Sequence, residues 1–338
     1  MLFSIIIPVY NVENYLSECI QSILVQIEQG VNDCEILLID DGSTDSSGKI
    51  CDVYEAKYSN IIKVYHKQNE GLLATRRYGF KKATGEYIIN CDSDDTLEGD
   101  MLKSVRSVIE KYSSPDMILI NYNSFDGKKK QVGYENIFNE NYDSRVRKNN
   151  VLREYMCGHS IVSLCGKIVK RSCINVDMDY VKYGKLSTGE DSLQSIEFFT
   201  NAKTFVYLNK ALYNYRCGTG MTARFDKNYY FTFKQIFEQL EKQKKLWDLK
   251  EFDELFAIKV LQTAGRAITQ SRYNNWNSID EQKTYLKSLR TDSMLLLNYQ
   301  YINRVRKFLQ FDHFILLKLL KYKLYAIVII LLDVKNKI

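Results

Sequence analysis

The stretch Glu86-Tyr87-Ile88-Ile89-Asn90-Cys91-Asp92-Ser93-Asp94-Asp95 decides how the chain is read. Its first half is a short, largely apolar run of the length of a buried strand, and its second half sets three carboxylates within four residues at the strand end. Toward the N-terminus, Leu2–Val9 (apolar apart from Ser4), Glu35–Ile39 and Ile61–His66 read as further strands. Between them Tyr15, Leu16, Cys19, Ile20, Ile23 and Leu24 fall at helical spacing, and helices are predicted near Ser46–Tyr58 and over Leu72–Lys82. Past the acids, a helix near Asp100–Lys111 and a strand at Met117–Asn121 follow. Strand and helix alternating at this pace predict parallel βαβ units in an open α/β sheet.

Ligands of such sheets bind beyond the carboxyl ends of the strands. Those ends carry Pro8-Val9-Tyr10-Asn11, Asp40-Asp41-Gly42-Ser43, Lys67-Gln68-Asn69 and Asp92-Ser93-Asp94-Asp95, so one acidic edge is the predicted site. From Lys128 to about Tyr183 the pattern breaks into short pieces and polar turns. Helical spacing returns at Asp191–Thr200, Tyr229–Trp247, Phe252–Thr269 and Asp280–Gln310.

Composition limits the classes available. With 338 residues, 45% hydrophobic and 26% charged, the chain is neither disordered nor collagen-like, and it can build a sizeable core. Cys19, Cys34, Cys51, Cys91, Cys157, Cys165, Cys173 and Cys217 form no Cys-x-x-Cys pair, and with 3 histidines no zinc spacing arises. Reduced thiols in a cytoplasmic chain without a signal peptide are the expectation. The net charge of +6 hides an asymmetry: residues 1–110 hold 10 Lys+Arg against 18 Asp+Glu, and the remainder 37 against 23. An acidic, metal-binding front and a basic back that meets phosphates, nucleic acid or a membrane face fit that division.

Three acids in four residues repel one another, and all-oxygen ligation suits Mg²⁺ or Mn²⁺ shared with substrate phosphates. A solvated turn capping the next helix is the plainer reading. Asp92-x-Asp94-x-Thr96 after a strand also has the form of a haloacid-dehalogenase-type phosphatase loop. That loop, however, follows the first strand of its fold, whereas three strands precede this one, and no later Gly-Asp-x-x-x-Asp completes it. Asp40 and Asp41 can accept hydrogen bonds from a base or ribose, or make an ordinary Asx turn that Gly42 permits. Tyr10 either offers a ring face to a base or fills the core. Arg76 either meets nucleotide phosphate or forms a surface ion pair. Asp191, in Ser187-Thr188-Gly189-Glu190-Asp191-Ser192, is either a general base or a helix cap.

Taken together, Ile5-Ile6-Ile7-Pro8-Val9-Tyr10-Asn11, Asp40 through Asp45, Asn69-Glu70-Gly71 through Arg76, Ala83 through Ile89 and Asp92 through Asp95 resemble, in order, the inverting family 2 glycosyltransferases. The resemblance is dense over residues 1–120. It implies a GT-A, Rossmann-like nucleotide-sugar domain with a mixed, mainly parallel sheet, followed by a helical C-terminal region. It implies that Tyr10 stacks on uracil and Asp41 accepts its ring N–H, with Pro8, Asn11, Asp40, Arg76 and Ser93 lining the nucleotide pocket. Asp92 would approach ribose and sugar, and Asp94 would hold Mn²⁺ or Mg²⁺ on the two phosphates. Glu190-Asp191 resembles the family's Glu-Asp pair, whose Asp is the base. Tyr213 through Thr222 resembles the segment that closes over the donor, where Arg216 would meet phosphate.

The reading is therefore an enzyme that moves a hexose or hexosamine from a UDP-sugar to a saccharide hydroxyl, on a lipid-linked or surface-polysaccharide acceptor, with no nucleic-acid partner. The alternative is a nucleotide-sugar-binding scaffold that has lost catalysis. The expected organisation is a transferase domain over 1–222 (nucleotide half 1–120, acceptor half 121–222), helices over 223–310 and a tail helix over 311–338. Phe314–Leu332 is rich in Leu, Ile, Val and Tyr but broken by Lys318, Lys321 and Lys323, too short an apolar run to span a bilayer. It suits peripheral contact with the cytoplasmic face of a membrane, or docking on the protein itself.

Overall fold

The computed structural model describes residues 1–125, 130–133, 136–138, 143–158, 161–186, 188–218, 226–274 and 276–335. The chain forms two compact units, Met1–Val151 with His159–Gly220, and Leu152–Gly158 with Met221–Ile338.

The first unit is built on one mixed sheet. Its strands are β1 Phe3–Val9, β2 Cys34–Asp40, β3 Ile62–His66, β4 Tyr87–Asn90, β5 Thr96–Leu97, β6 Met117–Phe125, β7 Lys130–Val132, β8 Asp143–Val146, β9 Lys167–Lys170 and β10 Phe205–Arg216. The order is β3-β2-β1-β4-β9-β6-β10-β5, with β7 on β6 and β8 on β10. The long pairings β1–β2, β2–β3, β1–β4 and β6–β10 are parallel; β9 runs antiparallel between β4 and β6. The mixed, mainly parallel sheet expected from sequence is the one found.

Every residue of β1 is buried, as a strand covered on both faces requires. Phe3, Ile5, Ile7 and Val9 join one core with Leu16, Cys19, Ile20 and Ile23 of α1 (Leu16–Glu28) and Met101, Leu102 and Val105 of α4 (Met101–Lys111). The alternate residue Ile6 meets α3 (Leu72–Lys82) on the other face, where a Cβ added at Gly79 would lie 2.5 Å from Ile6 Cγ2. Between β2 and β3 lies α2, Ser47–Lys57.

Four strands and helices in the irregular region were not foreseen: β7, β8, the helix α5 (Lys148–Cys157) and β9. Neither was β10, a twelve-residue strand beside β6 whose alternation is broken by register shifts between Leu208 and Tyr213. A bulge of this kind destroys the period of two that sequence reading depends on. After α6 (Glu190–Asn201), the second unit contains α7 Tyr229–Lys242, α8 Lys244–Trp247 and α9 Phe252–Gln270.

The continuous helical spacing of Asp280–Gln310 divides into α10 Ile279–Thr291 and α11 Ser293–Asn298, followed by short 3-10 turns. Asp292 makes the division: its side chain caps α11 through the N–H groups of Met294 (3.0 Å) and Leu295 (3.1 Å). The tail is two helices, α12 Phe311–Lys321 and α13 Tyr325–Lys335, because Lys323 between them takes a positive φ of 62°. Leu316, Leu317 and Leu320 of α12 are buried, and His313 packs over Gly265 of α9. The expected single tail helix is thus a folded pair, partly absorbed into this unit's core.

The tight seat of α3 gives a direct test. Gly79→Ala should lower stability by about 1–3 kcal/mol, since Ile6 must yield to the new methyl. Urea unfolding of the purified variant checks this.

Candidate active site

The carboxyl ends of β1, β2 and β4 lie at one edge because these strands are parallel and adjacent. At the end of β1, Asn11 takes a positive φ of 51° and ties its loop to the next: its Oδ1 accepts from Thr44 N–H (2.8 Å), and its own N–H reaches Ser43 Oγ (3.2 Å). Tyr10, just before it, is 49% exposed, so its ring is presented at the edge instead of filling the core. Pro8 is buried within β1.

The two acids after β2 divide their work. Asp40 accepts Ser43 N–H (3.0 Å) and meets His66 Nδ1 (2.8 Å), while His66 Nε2 meets Asp52 (2.9 Å). Those two carboxylates raise the His66 pKa. Asp41 takes the Lys67 ammonium (2.7 Å) and Glu70 N–H (2.9 Å) on Oδ1, and Gly71 N–H (2.8 Å) on Oδ2. Burial works against its charge, but these hydrogen bonds prevail and hold its pKa below the usual carboxylate value. Gly42 turns the loop at φ +73°, and a Cβ there would come 3.1 Å from Asn69 N.

The centre of the site is Arg76 of α3, only 1% exposed. Its Nη2 binds Asp92 Oδ1 at 2.6 Å, its Nη1 binds Asp191 Oδ1 at 2.5 Å, and Glu190 Oε1 stands 3.7 Å from Nη1. The surface ion pair of the plainer reading gives way to a buried clamp between the turn after β4 and α6. Although burial opposes the charge, Asp92, Asp191 and Glu190 hold the Arg76 pKa well above its ordinary value. Glu190, in contrast, is pushed up to about 7 by burial and by Asp191.

In the acidic turn, Ser93 and Asp95 are buried, whereas Asp92 and Asp94 are partly exposed. Asp95 accepts Tyr213 O–H (2.6 Å) and Arg216 N–H (2.7 Å), and burial with Asp92 nearby pushes its pKa up to about 8. Arg216, at the end of β10, donates to the Asp94 carbonyl (2.8 Å) and to Glu18 (2.6 Å), between the rings of Tyr15 and Phe125. It therefore braces the acidic turn. Thr219 to Thr222 of the expected closing segment, and Ser187 of the Glu190-Asp191 motif, lie outside the described residues.

Asp95, Lys67 and Tyr213 lie in segments the sequence singles out but were given no role of their own, and Ser163 and Cys165, which carry no local motif, join the site only through the fold. Tyr213 O–H lies 3.1 Å from Asp92 N–H, which donates to it. Ser163 Oγ donates to Asp191 Oδ2 (3.0 Å), and the Cys165 thiol faces Asp92 Oδ2 (3.7 Å).

Among the described residues, Asp92, Asp95 and Cys165 bring one ligand atom each within 4.8 Å of one another. As a trio they suit Mg²⁺ or Mn²⁺ poorly, because both Asp95 oxygens are engaged and burial keeps the Cys165 thiol protonated, its pKa well above the ordinary value. The partly exposed oxygens of the Asp92–Asp95 turn do fit a hard divalent cation. The raised values of Asp95 and Glu190 show why one would be welcome: Asp92, Glu190 and Asp191 share the single Arg76 guanidinium, and Asp92 and Asp94 both push the Asp95 value up.

Comparison with known proteins shows which family has this arrangement. The Glycosyl transferase family 2 model matches residues 4–173, half of the chain, and the protein belongs to that family. Among relatives, glycosyltransferase GlyA of Streptococcus pneumoniae is 31% identical over 227 residues, which is 65% of this chain and 31% of that one. Minor teichoic acid biosynthesis protein GgaB of Bacillus subtilis is 30% identical over 235 residues, 68% of this chain and 25% of that one. The match thus spans less than a third of either relative. The fold is GT-A, as in S. aureus TarS 1–349 solved in complex with UDP-GlcNAc: TM-score 0.69, 23% identity, covering 96% of this chain and 89% of that one.

Asp41→Asn should destabilise the protein at neutral pH, because an amide cannot accept all three donors. A carboxyl whose folded pKa is depressed stabilises above its unfolded value and loses that contribution as pH falls through the folded one. The gap in thermal midpoint between wild type and variant should therefore narrow from pH 7 toward pH 3.

Proposed function

We propose that the protein is an inverting, UDP-sugar-dependent glycosyltransferase that moves a hexose or hexosamine to a saccharide hydroxyl. One observation carries the reading: a single buried guanidinium holds Asp92 on one terminal nitrogen and Asp191 on the other. The acid expected beside the donor and the acid expected beside the acceptor are thereby fixed one guanidinium apart, the distance over which a glycosyl group changes partners.

In this reading the uracil stacks on the exposed Tyr10 ring and gives its ring N–H to Asp41. Among the described residues, Asp41 Oδ2 has one donor and so retains a lone pair for it. Asp94, with Asp92 beside it, holds Mn²⁺ or Mg²⁺, which when bound offsets the charge growing on the departing UDP. Asp92 meets ribose and sugar, and Arg216 keeps the turn in place. Asp191 takes the acceptor proton as the hydroxyl oxygen attacks the anomeric carbon; the new C–O bond forms on the face opposite the breaking bond to UDP, so the configuration inverts.

TarS was crystallised with UDP-GlcNAc and GgaB is named for teichoic acid synthesis, which favours a UDP-hexosamine or UDP-hexose donor and a cell-surface polymer or its lipid-linked precursor as acceptor. Such an acceptor favours work at the cytoplasmic face of the membrane. No helix among the described residues is long and apolar enough to cross a membrane. The tail nevertheless leaves Phe311, Tyr322, Ile327, Ile330 and Leu331 exposed, with Lys318, Lys321 and Lys323 nearby in sequence, which suits peripheral contact with anionic lipid.

UDP release from UDP-glucose, UDP-galactose, UDP-GlcNAc and UDP-GalNAc tests the reaction. We expect turnover of one donor with Mn²⁺, its loss in EDTA, and a drop of at least about 100-fold in Asp191→Asn with UDP binding intact. Binding of UDP with no turnover of any donor would favour a non-catalytic binding protein, and no thermal stabilisation by UDP with Mn²⁺ would overturn the nucleotide assignment. For the tail, the protein should sediment with phosphatidylglycerol-containing vesicles and much less with pure phosphatidylcholine. Ile330→Glu with Leu331→Glu, at positions 60% and 39% exposed, should abolish sedimentation without altering the melting temperature. Undiminished sedimentation of that variant would remove the tail from the interface.

A further inference from the structure

Asp191 is held from two sides, and the second side is a turn that no motif announces. Arg76 Nη1 occupies Oδ1, while Ser163 O–H (3.0 Å) and Leu164 N–H (3.3 Å) both point to Oδ2. A carboxylate offers about four lone-pair sites. Among the described residues three are filled, and the vacant one is on Oδ1, beside Arg76.

The Ser163 hydroxyl is itself fixed. Its oxygen accepts Cys165 N–H at 3.2 Å, so its single proton is left for Asp191. The turn that carries it is rigid for reasons that can be named. Gly166 sits at φ +77°, where an added Cβ would stand 2.9 Å from the Ile120 carbonyl oxygen, and Gly166 C=O accepts Ile120 N–H at 2.9 Å. Lys167, only 2% exposed, donates its ammonium to the Ser163 carbonyl and lies 5.4 Å over the Phe199 ring of α6, the helix whose first turn holds Asp191. Ser195 of α6 also donates to the Val162 carbonyl, at 3.1 Å. Burying an ammonium is costly, and this one is committed to a main-chain oxygen of the turn.

We propose that the turn Ser163–Lys167 positions the general base, with Ser163 as the positioning residue that locks Oδ2 and leaves Oδ1 to receive the acceptor hydroxyl. The inference rests on Asp191 being the base. Without the Ser163 hydroxyl, Oδ2 keeps only the longer Leu164 N–H bond (3.3 Å) against the Arg76 bond on Oδ1, so the carboxylate can rotate and the proton-accepting lone pair is misdirected while the donor pocket is untouched.

The test compares Ser163→Ala, Ser163→Thr, Asp191→Asn and the Ser163→Ala/Asp191→Asn double variant, reading UDP release from whichever of the four UDP-sugars the wild type turns over. Ser163→Ala should lower kcat by about 10- to 100-fold, with KM for the UDP-sugar and thermal stabilisation by UDP unchanged. Ser163→Thr should restore most of kcat, and the double variant should be no slower than Asp191→Asn alone. A Ser163→Ala enzyme with wild-type kcat, or one whose donor KM rises as kcat falls, overturns the positioning role while a dead Asp191→Asn keeps the base reading. An active Asp191→Asn overturns the base reading itself. Independently of turnover, a crystal structure of Ser163→Ala should show the Asp191 carboxylate rotated off its wild-type orientation and that of Ser163→Thr should not; an unmoved carboxylate in Ser163→Ala also overturns the proposal.

Discussion

The site depends on one buried ion cluster. A guanidinium taken out of water is tolerable only where carboxylates replace its hydration, and Arg76 meets Asp92, Asp191 and, at longer range, Glu190. The dependence is mutual: without Arg76, three acids drawn from two segments 98 residues apart or more would crowd one another in a poorly solvated pocket. Removing one partner of such a buried pair commonly costs about 3–5 kcal/mol, because the remaining charge is left uncompensated. The same cluster thus joins α6 to the sheet and fixes the spacing of the two acids to which the proposed chemistry is assigned.

For Arg76 to reach both acids, α3 must lie close on β1 and β2. The residue one turn further along is Gly79, over Ile6, and nothing larger fits there without movement. Ile6 in turn belongs to a strand with every residue buried, so the position of the guanidinium is set by apolar packing that cannot drift. A chain of causes runs from an apolar heptapeptide, through a glycine contact, to the geometry of a charged site.

The sequence revealed those parts of the fold whose cause is local. The buried strands β1, β2 and β4, their helices and the acidic ends beyond them follow from runs and periods a reader can count. β10 was hidden because its bulge breaks alternation, and β9 because four residues ending in lysine show no period at all. In the site, the acids stood out as motifs, but their partners did not. Arg76 lies 115 residues from Asp191, and Ser163 lies 28 residues from it. A serine hydroxyl two residues before a thiol has no signature until the chain brings it to a carboxylate. Arg76 was visible as a candidate, yet its burial was not, since an arginine in the middle of a helix reads equally as solvent-exposed.

Charge explains why the site tolerates so many acids. Asp41 is satisfied by Lys67 and two main-chain N–H groups, and its pKa is depressed. Asp95 and Glu190 are raised instead, to about 8 and about 7, because burial and neighbouring carboxylates outweigh their hydrogen bonds. The charge of Asp41 is therefore supported by its own partners, whereas Asp95 and Glu190 remain short of positive charge. A divalent cation brought in with a nucleotide diphosphate would meet that shortage at the acidic turn. On electrostatic grounds alone, a divalent cation and a nucleotide diphosphate would be bound best together.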